Sequence, residues 1–454
     1  MAATPQSIAL SDDRPRGSDS EVERNSNDGH QSILDNDIPP QQQFSLPQAD
    51  GGLKAWLFLA GCFSIEALVW GFPFSFGIFQ EFYSNNEPFM SDPSGIAAIG
   101  TTSMGIIYLG SPLCFAALQY WPIMRRISSI IGLAILIIAL VASSFSTTVW
   151  HLILTQGLLY GIGGVLLYSP VIVFVDEWFI RRKGLAYGVM WGGTGFSGAT
   201  VPFLMSWGLH RYSFSTMLRI WAVALAVLTG PLLYFVKPRI PLSQTHRVPH
   251  ISLGFMKDRR FLILQLGNIL QGLGFFIPSV YLPTYARSIG VQNAAVTATV
   301  ALLNTANIFG CIFIGIIIDR FHVTTGILIS TIGATFSVFV LWGLSASIPL
   351  LCIFSVVYGF FAGSFSSTYA GIVREVRKDH IGADPGMVIG LLGAGRGIGS
   401  LVCGPLSEAL LKGHTWEGKP ALGYGTGYGL LIVFTGITAM LGGISFGARR
   451  IGWI

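Results

Sequence analysis

The hydrophobic positions of the chain fall into long, nearly uninterrupted apolar runs and rarely alternate with polar residues. Most runs reach the roughly 20 residues that a helix needs to cross a bilayer. Inside a bilayer the backbone must satisfy its own hydrogen bonds, so each run is predicted to be a transmembrane helix. Twelve runs occur, at 54–79, 95–119, 127–146, 149–175, 184–207, 214–236, 261–285, 294–318, 323–344, 347–372, 386–410 and 424–447.

A polar connection divides these runs into six and six. Residues 237–260 form the longest internal connection and are rich in proline and basic residues. The pattern therefore predicts an all-α membrane protein of twelve transmembrane helices. It has an N-terminal six-helix bundle at 51–236, a cytoplasmic linker at 237–260 and a C-terminal six-helix bundle at 261–454.

The first fifty residues differ from the rest of the chain. They hold nine acidic and three basic residues, a net charge of −6, and most of the others are Ser, Asn, Gln and Pro. Such a segment buries too little apolar surface to offset the entropy that ordering would cost. Residues 1–50 are therefore predicted to be a disordered cytoplasmic tail.

Composition supports the membrane interpretation. Apolar residues make up 52% of the 454 residues and charged residues 11%, against about 25% charged in an ordinary soluble protein. These proportions exclude a soluble enzyme and a nucleic-acid-binding protein. The five cysteines lie inside apolar runs, without the spacing of a metal cage or a disulfide framework. We therefore expect no metal and no cofactor.

The basic residues give the predicted orientation. After residue 50, eighteen of them fall on one side of the predicted bilayer and five on the other, and Arg396 lies inside a run. Lys and Arg accumulate in short cytoplasmic loops. The richer side is therefore predicted to be cytoplasmic, together with both termini. We expect a monomeric, multi-pass protein of the plasma membrane whose partners are the lipid bilayer and a small-molecule substrate.

The two groups of runs contain matching residues. Tyr160-Gly161 and Tyr358-Gly359 are separated by 198 positions. Four glycines of the fifth run match four of the eleventh at an offset of 202: Gly184, Gly188, Gly193 and Gly195 with Gly386, Gly390, Gly395 and Gly397. Chance matches arise easily in a glycine-rich chain, but two matched runs on either side of the linker favour duplication. Repeated six-helix halves with pseudo-two-fold symmetry are typical of transporters with a site near the midplane.

Several stretches resemble a known family. They are Tyr168 to Pro170, Glu177 to Phe179, Arg181 to Ala186, Asp50 to Trp56, and Tyr281 to Ala286. Together they resemble the major facilitator superfamily and, within it, the fungal branch of monocarboxylate porter-like transporters. Gly315 to Arg320 is similar to the cytoplasmic loop signature of that superfamily. The resemblance implies transport of a small organic solute.

Two positions depart from that resemblance. Cys311 stands where the family segment usually has an arginine associated with binding a substrate carboxylate. The second half of the chain has an acid, Asp319, in its loop signature. Gln119 occupies the equivalent place in the first half, which has therefore lost its acid. The first departure puts simple monocarboxylate transport in doubt.

Two charged residues lie near the middle of predicted helices. Arg396 is a candidate for substrate binding, because a charge at that depth costs about 2.5–3.5 kcal/mol and must face the protein interior or a wet cavity. Glu66 is a candidate for proton coupling, because a carboxyl group out of water favours its protonated form. Each also has a structural interpretation. Arg396 would be satisfied by helix-end carbonyls or by Glu66, and Glu66 would be neutralised by hydrogen bonds or by an arginine partner.

Polar and aromatic residues complete the predicted site. Gln271 and Asn304 lie near mid-depth, where an amide can orient a substrate or bind one helix to another. Tyr160, Trp191 and Tyr358 can line an apolar cavity for an aromatic solute, although each can equally be a packing residue.

Charges at the cytoplasmic ends of the helices are candidates for a gate. Acidic and basic residues occur at matching places in both halves, beyond what the positive-inside bias requires. We expect pairs between the halves that hold the cytoplasmic side closed, formed by Asp176, Glu177, Arg181, Asp319, Arg320, Arg374 and Glu375. Ordinary flanking charge is the alternative.

The residues favour a secondary active transporter that works by alternating access. Its substrate would be an organic acid, monocarboxylate-like, or a secondary metabolite, and transport would be coupled to protons. Export of a secondary metabolite from a biosynthetic pathway is an open alternative. A transporter-derived membrane sensor and a membrane enzyme are less favoured, because the chain has only a short tail and its eight histidines are scattered.

Overall fold

The computed structural model describes residues 47–90, 95–240, 252–290, 294–411 and 422–454. Almost all of the predicted disordered tail and much of the predicted linker lie outside these residues. The described residues belong to one compact unit. Within the described ranges the regular structure is helical and contains no strand, as the apolar runs predict.

Twelve long helical segments correspond to the twelve predicted runs. They are α1 (Gly52–Asn85), α2 (Ile96–Tyr120), α3 (Met124–Ser143), α4 (Val149–Trp178), α5 (Lys183–Arg211), α6 (Phe214–Phe235), α7 (Arg259–Ser288), α8 (Ala294–Arg320), α9 (Val323–Trp342), α10 (Ile348–Asp379), α11 (Pro385–Leu411) and α12 (Gly429–Arg450). In the described residues, eleven helices are long and apolar enough to cross a membrane, and α5 is not among them. Seven of the 29 residues of α5 are glycine, which lowers its hydropathy without shortening it.

Several helices are longer or less regular than the runs predict. The first run ends at 79, whereas α1 continues to Asn85 after a break at Ser75, two residues beyond Pro73. Proline lacks the N–H of a helical hydrogen bond, which weakens the helix at that point. The run at 347–372 continues as helix to Asp379, with a 3-10 segment at Ser364–Thr368. The additional turns are polar, so hydropathy could not detect them.

Three of the four matched glycine pairs lie where helices of the first six meet helices of the last six. A Cβ at Gly188 of α5 would lie 2.3 Å from the backbone oxygen of Cys311 in α8, and one at Gly390 of α11 would lie 2.6 Å from the Phe115 ring in α2. Gly193 faces α1, and its counterpart Gly395 faces α7. The matched glycines therefore allow equivalent close contacts in both repeats.

The face at which α1 begins and α12 ends is here called the basic face. Buried residues of α1–α6 share one hydrophobic cluster with basic-face portions of α8, α10 and α11, including Ile318, Ile372 and Met387. The opposite portions of the last six helices form a separate cluster around Leu282, Trp342 and others. The two groups of helices are therefore packed together on the basic face.

Candidate functional site

A cavity lies between the first six and the last six helices. It is lined by residues of α1, α2, α4 and α5 and by residues of α7, α8, α10 and α11, which are the corresponding helices of the second group. Its volume is about 80 Å³, enough for several water molecules. A solute of metabolite size therefore requires the surrounding helices to move apart.

Arg396 of α11 contributes a positive charge to this cavity. Its side chain is 3% exposed, and one guanidinium nitrogen donates to Oε1 of Gln271 at 3.0 Å. The guanidinium carbon lies 3.9 Å from the ring centre of Phe275. No carboxylate among the described residues forms an ion pair with Arg396. The guanidinium therefore retains N–H groups, and an uncompensated charge, with which to bind an anion.

Glu66 of α1 contributes a carboxyl group to the same cavity. It is 1% exposed, and its Oε2 atom has no hydrogen-bond partner. Buried polar groups are nearly always hydrogen-bonded, so an orphaned carboxyl oxygen is unusual. Glu66 and Arg396 both line the cavity but do not pair with each other. The interpretation in which Glu66 satisfies Arg396 therefore does not fit the structure.

The two predicted amides have different positions. Asn304 lines the cavity, and its Nδ2 atom donates to the backbone oxygen of Gly198, which connects α8 to α5. Gln271 is buried behind Arg396, not among the cavity-lining residues: its Oε1 atom accepts from the guanidinium and its Nε2 atom donates to the Ala362 oxygen at 3.3 Å. Gln271 is thus placed to orient the arginine.

The repeated tyrosines bind the backbone of their own six-helix group. The Tyr160 hydroxyl donates to the Val69 oxygen at 3.0 Å, and the Tyr358 hydroxyl donates to the Phe275 oxygen at 3.2 Å. Pro73 cannot donate the helical hydrogen bond that Val69 would normally accept, so Tyr160 replaces it. Neither tyrosine is among the residues that line the cavity. The structure therefore corrects their predicted placement.

Trp191, another predicted site residue, lines the cavity, and its indole nitrogen donates to the Tyr168 hydroxyl at 3.0 Å. Sequence reasoning missed other aromatic residues of the lining, including Trp70 and Phe275. The available signal was helical spacing. Trp70 follows Glu66 by four residues and Phe275 follows Gln271 by four, which places each pair on one helix face.

The predicted gate charges do not pair between the two groups of helices. In the first group, Lys183 pairs with Asp176 and Arg125 with Glu177. In the second, Glu375 lies 2.9 Å from the Lys378 ammonium group. These partners are close in the chain or on adjacent helices of the same group, so each acid is already paired within its own group.

The remaining predicted gate residues have other surroundings. Arg374 donates to the Ile318 and Phe321 oxygens at the end of α8. Arg181 and Arg320 are exposed. Glu375 also faces His322 at 3.3 Å, and burial lowers the pKa of His322 although the Glu375 carboxylate opposes that change.

Asp319 alone of the predicted gate residues connects the two groups. Its carboxylate at the end of α8 accepts from the backbone N–H groups of Gly184 and Leu185 at 2.6 and 2.8 Å. These groups belong to the first turn of α5, where the helix dipole and free N–H groups favour an anion. A carboxylate bound to a helix N-terminus therefore joins the groups on the basic face.

A second carboxylate binds the residues just before α5. Asp50 accepts from the backbone N–H groups of Ile180, Arg181 and Arg182, each at 2.9 Å. The last residues of the predicted disordered tail are therefore ordered. Their contacts place the segment before α1 against the same helix end that Asp319 binds.

The corresponding contact of the second repeat is different. Gln119 occupies the place at the end of α2, and α11 is capped by Asp384 from its own chain segment, which accepts from the Met387 N–H at 2.9 Å. Burial raises the pKa of Asp384. Because Gln119 is not an acid, within the described ranges the end of α2 makes no carboxylate contact with α11 like the one that Asp319 of α8 makes with α5.

A family model and a solved structure match most of this chain. The model described as the Major Facilitator Superfamily matches residues 59–340 and 264–451. The crystal structure of the human organic anion transporter MFSD10 superposes with a TM-score of 0.61 and 15% identity, covering 86% of this chain and 98% of that one. At this identity the likeness shows the fold alone.

Fungal proteins are similar over most of their length. The MFS-type transporter pynF of Aspergillus niger is 26% identical over 80% of this chain and 84% of its own. The Aspyridones efflux protein apdF of Emericella nidulans is 24% identical over 91% and 81%. The Agnestins efflux protein AgnL12 of Paecilomyces divaricatus is 26% identical over 89% and 88%. All three names are those of transporters or efflux proteins.

Proposed function

Because the chain belongs to the Major Facilitator Superfamily and is a multi-pass membrane transporter of small organic solutes, we propose that it exports an organic anion by alternating access. The proposal depends chiefly on one observation. Arg396 is buried in a cavity between two groups of six helices without a carboxylate partner among the described residues. Burying a permanent charge in such a place costs free energy, and a bound anion would offset that cost in each transport cycle.

Alternating access fits the packing of the helices. The groups share a hydrophobic cluster on the basic face, and beyond that face the last six helices form a cluster of their own. Parting on the basic face would expose the cavity from that side. The Asp319 contact with α5 would have to break and re-form in each cycle. We assign the basic face to the cytoplasm, from the excess of Lys and Arg, and place the protein in the plasma membrane as a monomer.

Export is favoured over uptake by the similar proteins, two of which are named as efflux proteins. The monocarboxylate porter-like branch, with uptake of small acids, is the second candidate. It is supported by the stretch from Tyr168 to Ala186. Cys311 weighs against this candidate, because the branch usually has an arginine at that position. The thiol of Cys311 instead donates to Asn307 within α8.

The proposal is tested with proteoliposomes containing the purified full chain. They are loaded with radiolabelled 3-phenylpropionate, an aromatic monocarboxylate, and its release is compared with release from empty liposomes. Faster release that saturates with concentration is expected. If proteoliposomes and protein-free liposomes released every acid of an aromatic and aliphatic panel at the same rate, transport of organic anions would be contradicted.

Glu66 gives a prediction about proton coupling. Glu66→Gln preserves the shape of the side chain but removes its exchangeable acidic proton. Transport by this variant is expected to lose its dependence on an imposed pH gradient, while exchange of labelled for unlabelled anion continues. Both rates are measured in the same proteoliposomes at several pH differences. A pH dependence equal to that of the unaltered protein would exclude Glu66 as the coupling group.

A further inference from the structure

Two residues of α1 that line the cavity carry polar groups without hydrogen-bond partners. Oε2 of Glu66 and Nε1 of Trp70 have no hydrogen bond, although the two side chains are only 1% and 2% exposed. Both residues line the cavity. They are four positions apart and therefore neighbours on one face of the helix, yet they do not bind each other. α1 thus offers a carboxyl oxygen beside an N–H donor.

The indole of Trp70 is held by its aromatic neighbours. Its ring centre lies 4.8 Å from that of Tyr108 and 6.0 Å, edge to face, from that of Tyr168. A ring packed in this way cannot turn freely to find another acceptor. Since buried polar groups usually have partners, this orphaned pair is available to a molecule bound in the cavity.

Arg396 lies across the same cavity on α11, and the rings of Phe74 and Phe275 also line it. A molecule between α1 and α11 would therefore meet a cation at one end, a donor and a carboxyl oxygen at the other, and aromatic faces between. A simple monocarboxylate would satisfy the arginine but leave Glu66 and Trp70 unpaired.

We propose that the substrate is an aromatic organic anion that also carries an amide, or an equivalent N–H or O–H beside a carbonyl. Its acid binds Arg396, its N–H donates to Glu66, and its carbonyl accepts from Trp70. This inference rests on the proposed function only in taking the cavity as the solute site. It adds the second recognition point and the substrate class.

Four probes separate the two recognition points. N-acetylphenylalanine has the acid, the ring and the amide. 3-Phenylpropionate lacks the amide, N-acetyl-N-methylphenylalanine lacks the N–H, and N-acetylphenylalanine methyl ester lacks the charge. Binding to the purified full chain is measured by competition against labelled N-acetylphenylalanine. We expect N-acetylphenylalanine to bind about tenfold or more tightly than each of the other three, since each lacks at least one charge or hydrogen bond.

Trp70→Phe provides a test that general damage to the fold cannot imitate. It removes the N–H donor and keeps an aromatic ring. We expect it to weaken N-acetylphenylalanine binding about tenfold more than it weakens 3-phenylpropionate binding. Trp150→Phe is the matched control, because Trp150 is 62% exposed on the outside of α4. Equal weakening of both ligands by Trp70→Phe would overturn the proposal.

The outcomes distinguish this inference from the proposed function. If the acids are released from proteoliposomes but the amide makes no difference to binding, anion transport stands and the amide site is wrong. If the amide preference appears and depends on Trp70 while no acid is transported, the binding site stands and the transport proposal is wrong.

Discussion

Arg396→Gln is expected to reduce the transport of an organic anion by about a hundredfold or more. A hydrogen bond to a charged group contributes about 1.5–3 kcal/mol, and an anion held by two guanidinium N–H groups would lose both. Each 1.4 kcal/mol corresponds to about tenfold in binding. Glutamine is chosen because its amide can still bind the Gln271 oxygen, so the contact between α11 and α7 survives. Initial release rates from loaded proteoliposomes measure the effect.

Arg219→Gln is the matched control for that substitution. Arg219 of α6 also donates to a neutral oxygen, that of the Ser144 side chain, and lies 4.6 Å from the ring centre of Phe145. It is exposed and is not among the cavity-lining residues. Transport by this variant is expected to be normal. Normal transport by Arg396→Gln would show that the arginine has a structural role only.

Gly188→Ala is expected to reduce transport more than about tenfold by preventing closure of the basic face. The added Cβ would lie 2.3 Å from the backbone oxygen of Cys311, a distance that real Cβ atoms essentially never show. Because the contact is with backbone rather than a flexible side chain, α5 and α8 must move apart. The Asp319 contact with Gly184 lies one turn away and would be strained as well.

Gly404→Ala of α11 is the control, because a Cβ at Gly404 meets nothing within 4 Å. Both variants are compared at equal amounts of monodisperse protein, so that a folding defect is not counted as a transport defect. A full transport rate in Gly188→Ala would mean that close approach of α5 and α8 is not part of the cycle.

The sequence predicts the helices well because the bilayer imposes a length and an apolar composition on each. It predicts their ends poorly where a polar turn continues a helix, as at the end of α10 near Asp379. The matched glycines are also readable, since four glycines of the fifth run match four of the eleventh at one offset. Their equivalent contacts with α8 and α2 give that repeat a physical reason.

The functions of single side chains were harder to predict. Tyr160 binds a carbonyl 91 positions away. Pro73 shows in the sequence that this carbonyl lacks its helical partner, but no local pattern reveals that Tyr160 replaces it. The contact of Gln271 with Arg396 depends on how α7 and α11 pack, which the sequence does not show. The gate prediction failed in its pairings because charges found nearer partners within the same group, such as Lys183 for Asp176.

The central claim, that an anion binds beside Arg396 in the cavity between the two groups of helices, is tested most directly by ligand protection of a thiol. Thr194 lines the cavity, and Thr194→Cys would place a reactive group there in a chain whose Cys352, the least buried native cysteine, is replaced by serine. N-acetylphenylalanine is predicted to slow alkylation of this cysteine, and to lose that effect when Arg396→Gln is added. Equal protection with and without the arginine would contradict the account.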